Sequence, residues 1–114
     1  MLDDPLSHTY AAGKKDGTTI LKLVGPLTLS TIFGFQNEFR SQKPQVMIVD
    51  LSESPYMDSA GLGLLMNYYV SAENNGRKLL LAGANHRIVA MLEMTKVHTV
   101  LKTFPTVEEA EASL

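Results

Sequence analysis

The chain of 114 residues contains no cysteine. That absence excludes disulfides, thiolate catalysis and cysteine-ligated zinc together, and it leaves the redox compartment unreadable from composition. Nor is there an excess of charge: ten Lys and Arg stand against twelve Asp and Glu, a net charge of −2, with no block of like charge. A nucleic-acid binder carries a basic stripe, so nucleic acid is not expected as a partner. No apolar run approaches the roughly 20 residues that a membrane span requires, and the chain does not open on a charged segment followed by an apolar one. Membrane insertion is therefore not expected, and a cytoplasmic location is. Catalytic signatures are missing as well. Neither Gly-x-Ser-x-Gly nor a Gly-rich phosphate loop occurs, and His8, His86 and His98 are scattered without a second ligand at metal spacing. These absences argue against an enzyme, a metal site or a cofactor.

What is present is enough apolar material, 45% of the residues, for one core. The expectation is a single domain over residues 1–114, with 1–6 a loose N-terminus. Ser7 to Ala11 reads as an edge strand, Gly13 to Gly17 as a turn, and Thr18 to Val24 as a buried strand stopped by Gly25-Pro26. From Ser30 to Gln42 the spacing of Ile32, Phe35 and Phe39 predicts a helix, capped by Thr28 or Ser30 and ended by Lys43-Pro44. Val46 to Leu51 is a second buried strand. Ser59 to Asn74 follows as a helix with Leu62, Leu65, Met66, Tyr69 and Val70 on one stripe, stopped by Asn75-Gly76. Leu79 to Ala82 makes a third buried strand. Asn85 caps a helix reaching Met94, Val97 to Phe104 is extended, and Thr106-Val107-Glu108-Glu109 has the form of a capping box for a last helix to Ser113. Strands alternating with helices build parallel sheets through right-handed crossovers. The fold class is α/β: a mixed, mostly parallel sheet of four to five strands packed with about four helices.

The chemistry gathers where the strand Val46 to Leu51 hands over to Tyr56-Met57-Asp58-Ser59-Ala60-Gly61-Leu62-Gly63. A carboxylate and a hydroxyl fall at the mouth of a helix, where backbone N–H groups lack partners and negative charge is favoured. Two readings of Ser59 stay open on this ground: an N-cap worth on the order of 1 kcal/mol, or the acceptor of a phosphate. Asp58 reads as a cap or as a charge that orients the hydroxyl and discourages docking of the phosphorylated state, and the two roles are compatible. Gly61 and Gly63 each weaken a helix by up to about 1 kcal/mol relative to alanine, a cost that close approach of a neighbour or a partner would offset. Met57, in the loop beside Ser59, is expected as an exposed apolar contact for a partner.

The segments Ile48 to Leu51, Asp58-Ser59-Ala60-Gly61-Leu62-Gly63, Leu79-Leu80-Leu81-Ala82-Gly83 with Asn85, and Phe104-Pro105-Thr106-Val107-Glu108-Glu109-Ala110 together resemble the STAS domain of bacterial anti-sigma factor antagonists. The resemblance runs from Thr18 to Leu114, with Gly25-x-Leu27 as a weaker anchor. It implies a STAS-like fold and a regulatory role. Ser59 matches the phosphoacceptor: unmodified, such a protein captures an anti-sigma factor that is also a serine kinase; phosphorylated, it lets go, and a serine phosphatase restores the hydroxyl. The implied partner-binding residues are Tyr56, Met57, Asp58, Ser59, Ala60, Gly61, Leu62, Gly63 and Thr28. The family commonly carries an acidic residue where this chain has Thr28, which makes the surface around Ser59 less negative. An apolar patch around Met57 and the third helix leaves the expected oligomeric state as a monomer or weak homodimer. Two alternatives stand beside this reading: a docking subunit of a lipid-transport or stress-sensing assembly that is never phosphorylated, and a binder of a nucleotide or acyl group at the same helix mouth.

Overall fold

The strand that organises the molecule is buried on both faces. In the computed structural model, which describes residues 5–114, Met47, Val49 and Leu51 point to one side and Val46 and Ile48 to the other, all buried. A run of β-branched and long apolar residues without polar alternation suits such a central position. This strand, β3 (Val46–Glu53), pairs in parallel with β2 (Thr18–Val24) on one edge and with β4 (Lys78–Ala82) on the other. Outside them lie β1 (Ser7–Ala12), antiparallel to β2, and the short β5 (Thr103–Phe104), parallel to β4. Spatial order therefore repeats sequence order, β1-β2-β3-β4-β5, and the sheet is mixed but mostly parallel as expected.

Three helices cover one face: α1 (Gln36–Ser41), α2 (Ser59–Asn74) and α3 (His86–Met94). Their buried side chains, among them Phe39, Leu65 and Ile88, join Leu21, Met47 and Leu81 in the main core. The opposite face is closed by α4 (Val107–Ala112), whose Ala110 and Val107 meet Ile48, Leu80 and Ala82. Expected caps act at both later helices: Asn85 accepts from the Ile88 N–H at 3.0 Å, and Thr106 accepts from the Glu109 N–H at 3.1 Å.

Three expectations need correction. The helix predicted from Ser30 starts only at Gln36, and neither Thr28 nor Ser30 caps it; residues 28–35 form turns. The Thr31 hydroxyl lies 2.8 Å from the Pro26 carbonyl and accepts from the Thr28 N–H at 2.9 Å. Threonine thus competes with helical hydrogen bonding, and Gly34 adds its own penalty. Ile32, Phe35 and Phe39 nevertheless share the core. Second, the stripe of α2 is rotated: Val70 is half exposed, while Tyr68 is buried, with Met66 and Tyr69 packed at the margin. Third, only Thr103–Phe104 of the extended segment is strand, after a 3₁₀ turn at Val97–Thr99. Of the loose terminus expected over residues 1–6, residues 1–4 lie outside the described residues, and Leu6 is partly buried against the core.

The rotation of α2 has an aromatic cause. Phe35, Phe39 and Tyr68 stack in a row, with centroids 5.2 and 4.4 Å apart, and the Tyr68 hydroxyl donates to the Gln42 carbonyl at 2.7 Å. Tyrosine is buried where its hydroxyl finds an acceptor, and α1 supplies one just past its end. Phe39, fully buried in the middle of this row, should be among the costliest single truncations. Phe39→Ala is expected to lose about 3–5 kcal/mol of stability, read from urea unfolding.

A candidate functional site at the helix mouth

At the carboxyl edge of the sheet, two chain segments are stitched together. Leu27, just after β2, forms a parallel bridge with Met57, just before α2. The Leu27 N–H donates to the Tyr56 carbonyl at 3.1 Å, and the Asp58 N–H donates back to the Leu27 carbonyl at 3.2 Å. Gly61, in the first turn of α2, sits so close that a Cβ there would fall 2.2 Å from the Leu27 carbonyl oxygen. Only glycine permits that approach. Gly63 has open space at the same test, so just one of the two helix-weakening glycines is explained by close packing.

Asp58 is the N-cap of α2, in extended geometry with φ −104° and ψ −173°. Its Oδ1 accepts from the Gly61 N–H and its Oδ2 from the Leu29 N–H, each at 3.0 Å. Partial burial pushes the carboxyl pKa up, but the N–H groups of Leu29 and Gly61 outweigh that and hold it below its ordinary value. With the cap supplied by Asp58, Ser59 is the first residue inside α2 and its side chain is exposed. A hydroxyl at this position faces the favourable end of a helix dipole.

Not every expected contact residue reaches the surface. Ser59 is exposed, and Tyr56, Asp58, Ala60 and Gly63 are partly so. Met57, expected as an exposed contact, is 6% exposed and belongs to the main core, because its bridge to Leu27 turns it inward. Gly61 and Leu62 are buried as well, the first against Leu27 and the second in the core. Thr28 is also buried, with its hydroxyl 3.1 Å from that of Ser30. These four residues shape the site from beneath.

The sequence reading overlooked Leu29 and Phe33. Both are large apolar side chains in solvent, 57% and 65% exposed, and with Thr28, Ser30, Tyr56 and Asp58 they line a shallow groove beside the helix mouth. Their signal was more bulky apolar residues in the run Thr28 to Gly34 than one buried stripe takes, Leu29 and Phe33 lying off the spacing of Ile32, Phe35 and Phe39. The groove's far wall is stiffened by Arg87 of α3, whose guanidinium lies 5.1 Å from the Tyr56 ring centroid. The histidines lie elsewhere: His8 on β1 pairs with Glu38 at 2.6 Å, His86 opens α3 and His98 sits in the 3₁₀ turn. Chemically the site offers an exposed hydroxyl, an ionised carboxylate and an apolar ledge. No helix among the described residues is long and apolar enough to cross a membrane.

Residues 10–110 match the STAS domain family. The chain is 32% identical over 93 residues to an anti-sigma-B factor antagonist of Listeria monocytogenes, an alignment spanning 82% of this chain and 74% of that protein. Among solved structures, an anti-sigma factor antagonist from Mycobacterium paratuberculosis superposes with a TM-score of 0.79 at 17% identity, covering 94% of this chain and 93% of the other. The Bacillus cell fate determinant SpoIIAA in its phosphorylated form gives a TM-score of 0.72 at 15% identity, covering 94% and 98%. At these identities the two structures speak for the fold.

Two measurements check the site's construction. Gly61→Ala is expected to destabilise by about 2 kcal/mol or more, since neither backbone can yield to the added Cβ, whereas Gly63→Ala is expected to stabilise by up to about 1 kcal/mol. Thermal unfolding of the pair reads the contrast. Asp58→Ala is expected to cost about 0.5–2 kcal/mol at neutral pH. Because the folded-state pKa of Asp58 is lowered, its contribution is complete above the unfolded value and disappears as pH falls through the folded one. Urea unfolding at pH 7 and pH 3 should show the gap between wild type and variant narrowing at the lower pH.

Proposed function

The chain belongs to the STAS domain family, and we propose that it acts as an anti-sigma factor antagonist, a binding module whose hold on an anti-sigma factor kinase is set by phosphorylation of Ser59. One observation carries this reading: Ser59 is exposed at the first turn of α2 while Asp58 already caps the helix. The hydroxyl is thereby left without a structural task, on a surface that also presents Leu29 and Phe33. The relative from Listeria, named an anti-sigma-B factor antagonist, supports the role, and a protein of the same fold has been solved phosphorylated.

In the unmodified state the partner docks on Ser59, Ala60, Tyr56 and the apolar ledge, and capture of the kinase frees its sigma factor. The switching step transfers the γ-phosphoryl group of ATP to Ser59 Oγ, which loses its proton while ADP departs. The chemistry is the partner's; this chain supplies the acceptor. The added charge of about −1.5 to −2 is tolerated by the amino end of α2, so the fold persists. Docking does not, because a dianion beside Asp58 would have to be desolvated next to Leu29 and Phe33. A serine phosphatase reverses the step by hydrolysis. Thr28, buried where the family commonly presents an acidic residue, leaves this rim less negative.

The test is to incubate the protein with ATP, magnesium and the anti-sigma-type kinase encoded nearest to it, then locate added phosphate by intact-mass and fragment mass spectrometry. A single phosphate on Ser59, lost in Ser59→Ala, is the expected result. In calorimetry, Ser59→Asp should bind the kinase at least about tenfold more weakly than wild type. Equal binding by Ser59→Asp, or phosphate on another residue, would overturn the reading.

A further inference from the structure

The Asp58 carboxylate does more than cap a helix. Its two oxygens serve two different chain segments: Oδ1 takes the Gly61 N–H inside α2, and Oδ2 takes the Leu29 N–H in the turn between β2 and α1. That turn carries both exposed apolar residues of the groove, Leu29 and Phe33. Upstream of Leu29 the turn is anchored independently, because Leu27 is tied to Tyr56 and Asp58 through backbone hydrogen bonds and Thr28 is buried. Downstream, Ile32 and Phe35 are fastened in the core. Between these anchors the Leu29 N–H is held to the helix mouth by Asp58 Oδ2.

We propose that Asp58 is a positioning residue that couples the state of Ser59 to the Leu29–Phe33 ledge. With a free hydroxyl on Ser59, Oδ2 holds Leu29 and the ledge is presented beside the helix mouth. A phosphate on the adjacent residue repels the carboxylate, and of its two bonds the one outside the helix, to the exposed Leu29, is the less constrained. The carboxylate keeps its intrahelical bond to Gly61 and gives up the exposed one to Leu29, and the ledge loses its fixed position. Phosphorylation then removes the docking surface as well as placing charge on it. The groups lining the groove with Asp58 are Thr28, Leu29, Ser30, Phe33 and Tyr56, none of them charged at neutral pH. The cation beside them is Arg87 of α3, whose guanidinium lies 5.1 Å from the Tyr56 ring centroid, behind the lining residues.

The coupling rests on the reading of Ser59 as the switch, but its test does not need the kinase. Amide protons bound to a carboxylate shift as it titrates, so proton–nitrogen NMR of the wild type across pH 2–7 should show Leu29 and Gly61 moving together with one midpoint. Asp58→Asn retains an oxygen for the Gly61 N–H but replaces the second acceptor by a donor. In this variant Leu29 should move upfield with Gly61 little changed, and Leu29 amide exchange should speed up by about fivefold or more. Ser59→Glu should move Leu29 in the same direction while Gly61 remains bonded. A Leu29 amide that does not follow the Asp58 titration in wild type, or that keeps its position in Ser59→Glu, overturns the coupling whether or not Asp58→Asn folds. If Ser59→Glu releases Leu29 but no kinase modifies Ser59, the coupling stands and the phosphorylation reading is what fails.

Discussion

The contact on which the site depends is the seat of Leu27 against Gly61. A helix can approach the end of β2 this closely only where a side chain is missing, and a Cβ at Gly61 would fall 2.2 Å from the Leu27 carbonyl. That approach lets the Asp58 N–H reach the same carbonyl and brings the Leu29 N–H within 3.0 Å of the Asp58 carboxylate. Were α2 to start even a little farther out, Asp58 would still cap it, but the turn after β2 would have no hold on the helix. Two segments separated by about 30 residues of sequence become one surface through this packing constraint.

The core supports that arrangement from below. β3 is buried on both faces and so cannot shift register without exposing apolar residues, which fixes where its carboxyl end delivers the loop Ser54 to Met57. Met57 is drawn into the core, and the chain enters α2 with Asp58 extended and Ser59 outside. On the flank of α2, the stack of Phe35, Phe39 and Tyr68 sets the helix rotation and decides which side chains face solvent. The exposed hydroxyl is thus a consequence of strand burial and aromatic packing some distance away. The proposed switch needs the same rigidity: a charge change of one residue has a defined effect only when its neighbours have defined positions.

Much of this was legible beforehand because the signals were local. The three central strands show as apolar runs, Asn85 and Thr106 as caps, and the start of α2 at Ser59 follows from the Asp-Ser pair ahead of an amphipathic segment. Legibility failed where long-range contacts compete with local pattern. The Thr28–Thr31 hydroxyl network, anchored on Pro26, unwinds the first turns of a helix that the spacing of Ile32, Phe35 and Phe39 suggests. Met57 has the composition of an exposed loop contact and is taken inward by a single bridge to Leu27. Leu29 and Phe33 look like ordinary core residues and are left in solvent because the turn faces outward.

By itself the sequence determined the alternation of strands and helices, the mixed and mostly parallel sheet, and the position of Asp58 and Ser59 at a helix mouth. These depend on periodicity and capping, which act over a few residues. Only the tertiary structure decided which of the motif's residues are reachable, that Asp58 rather than Ser59 caps the helix, and that Leu29 and Phe33 stand beside them. Burial and close approach are properties of segments distant in sequence and adjacent in space, and no local pattern encodes the carbonyl of Leu27 against Gly61.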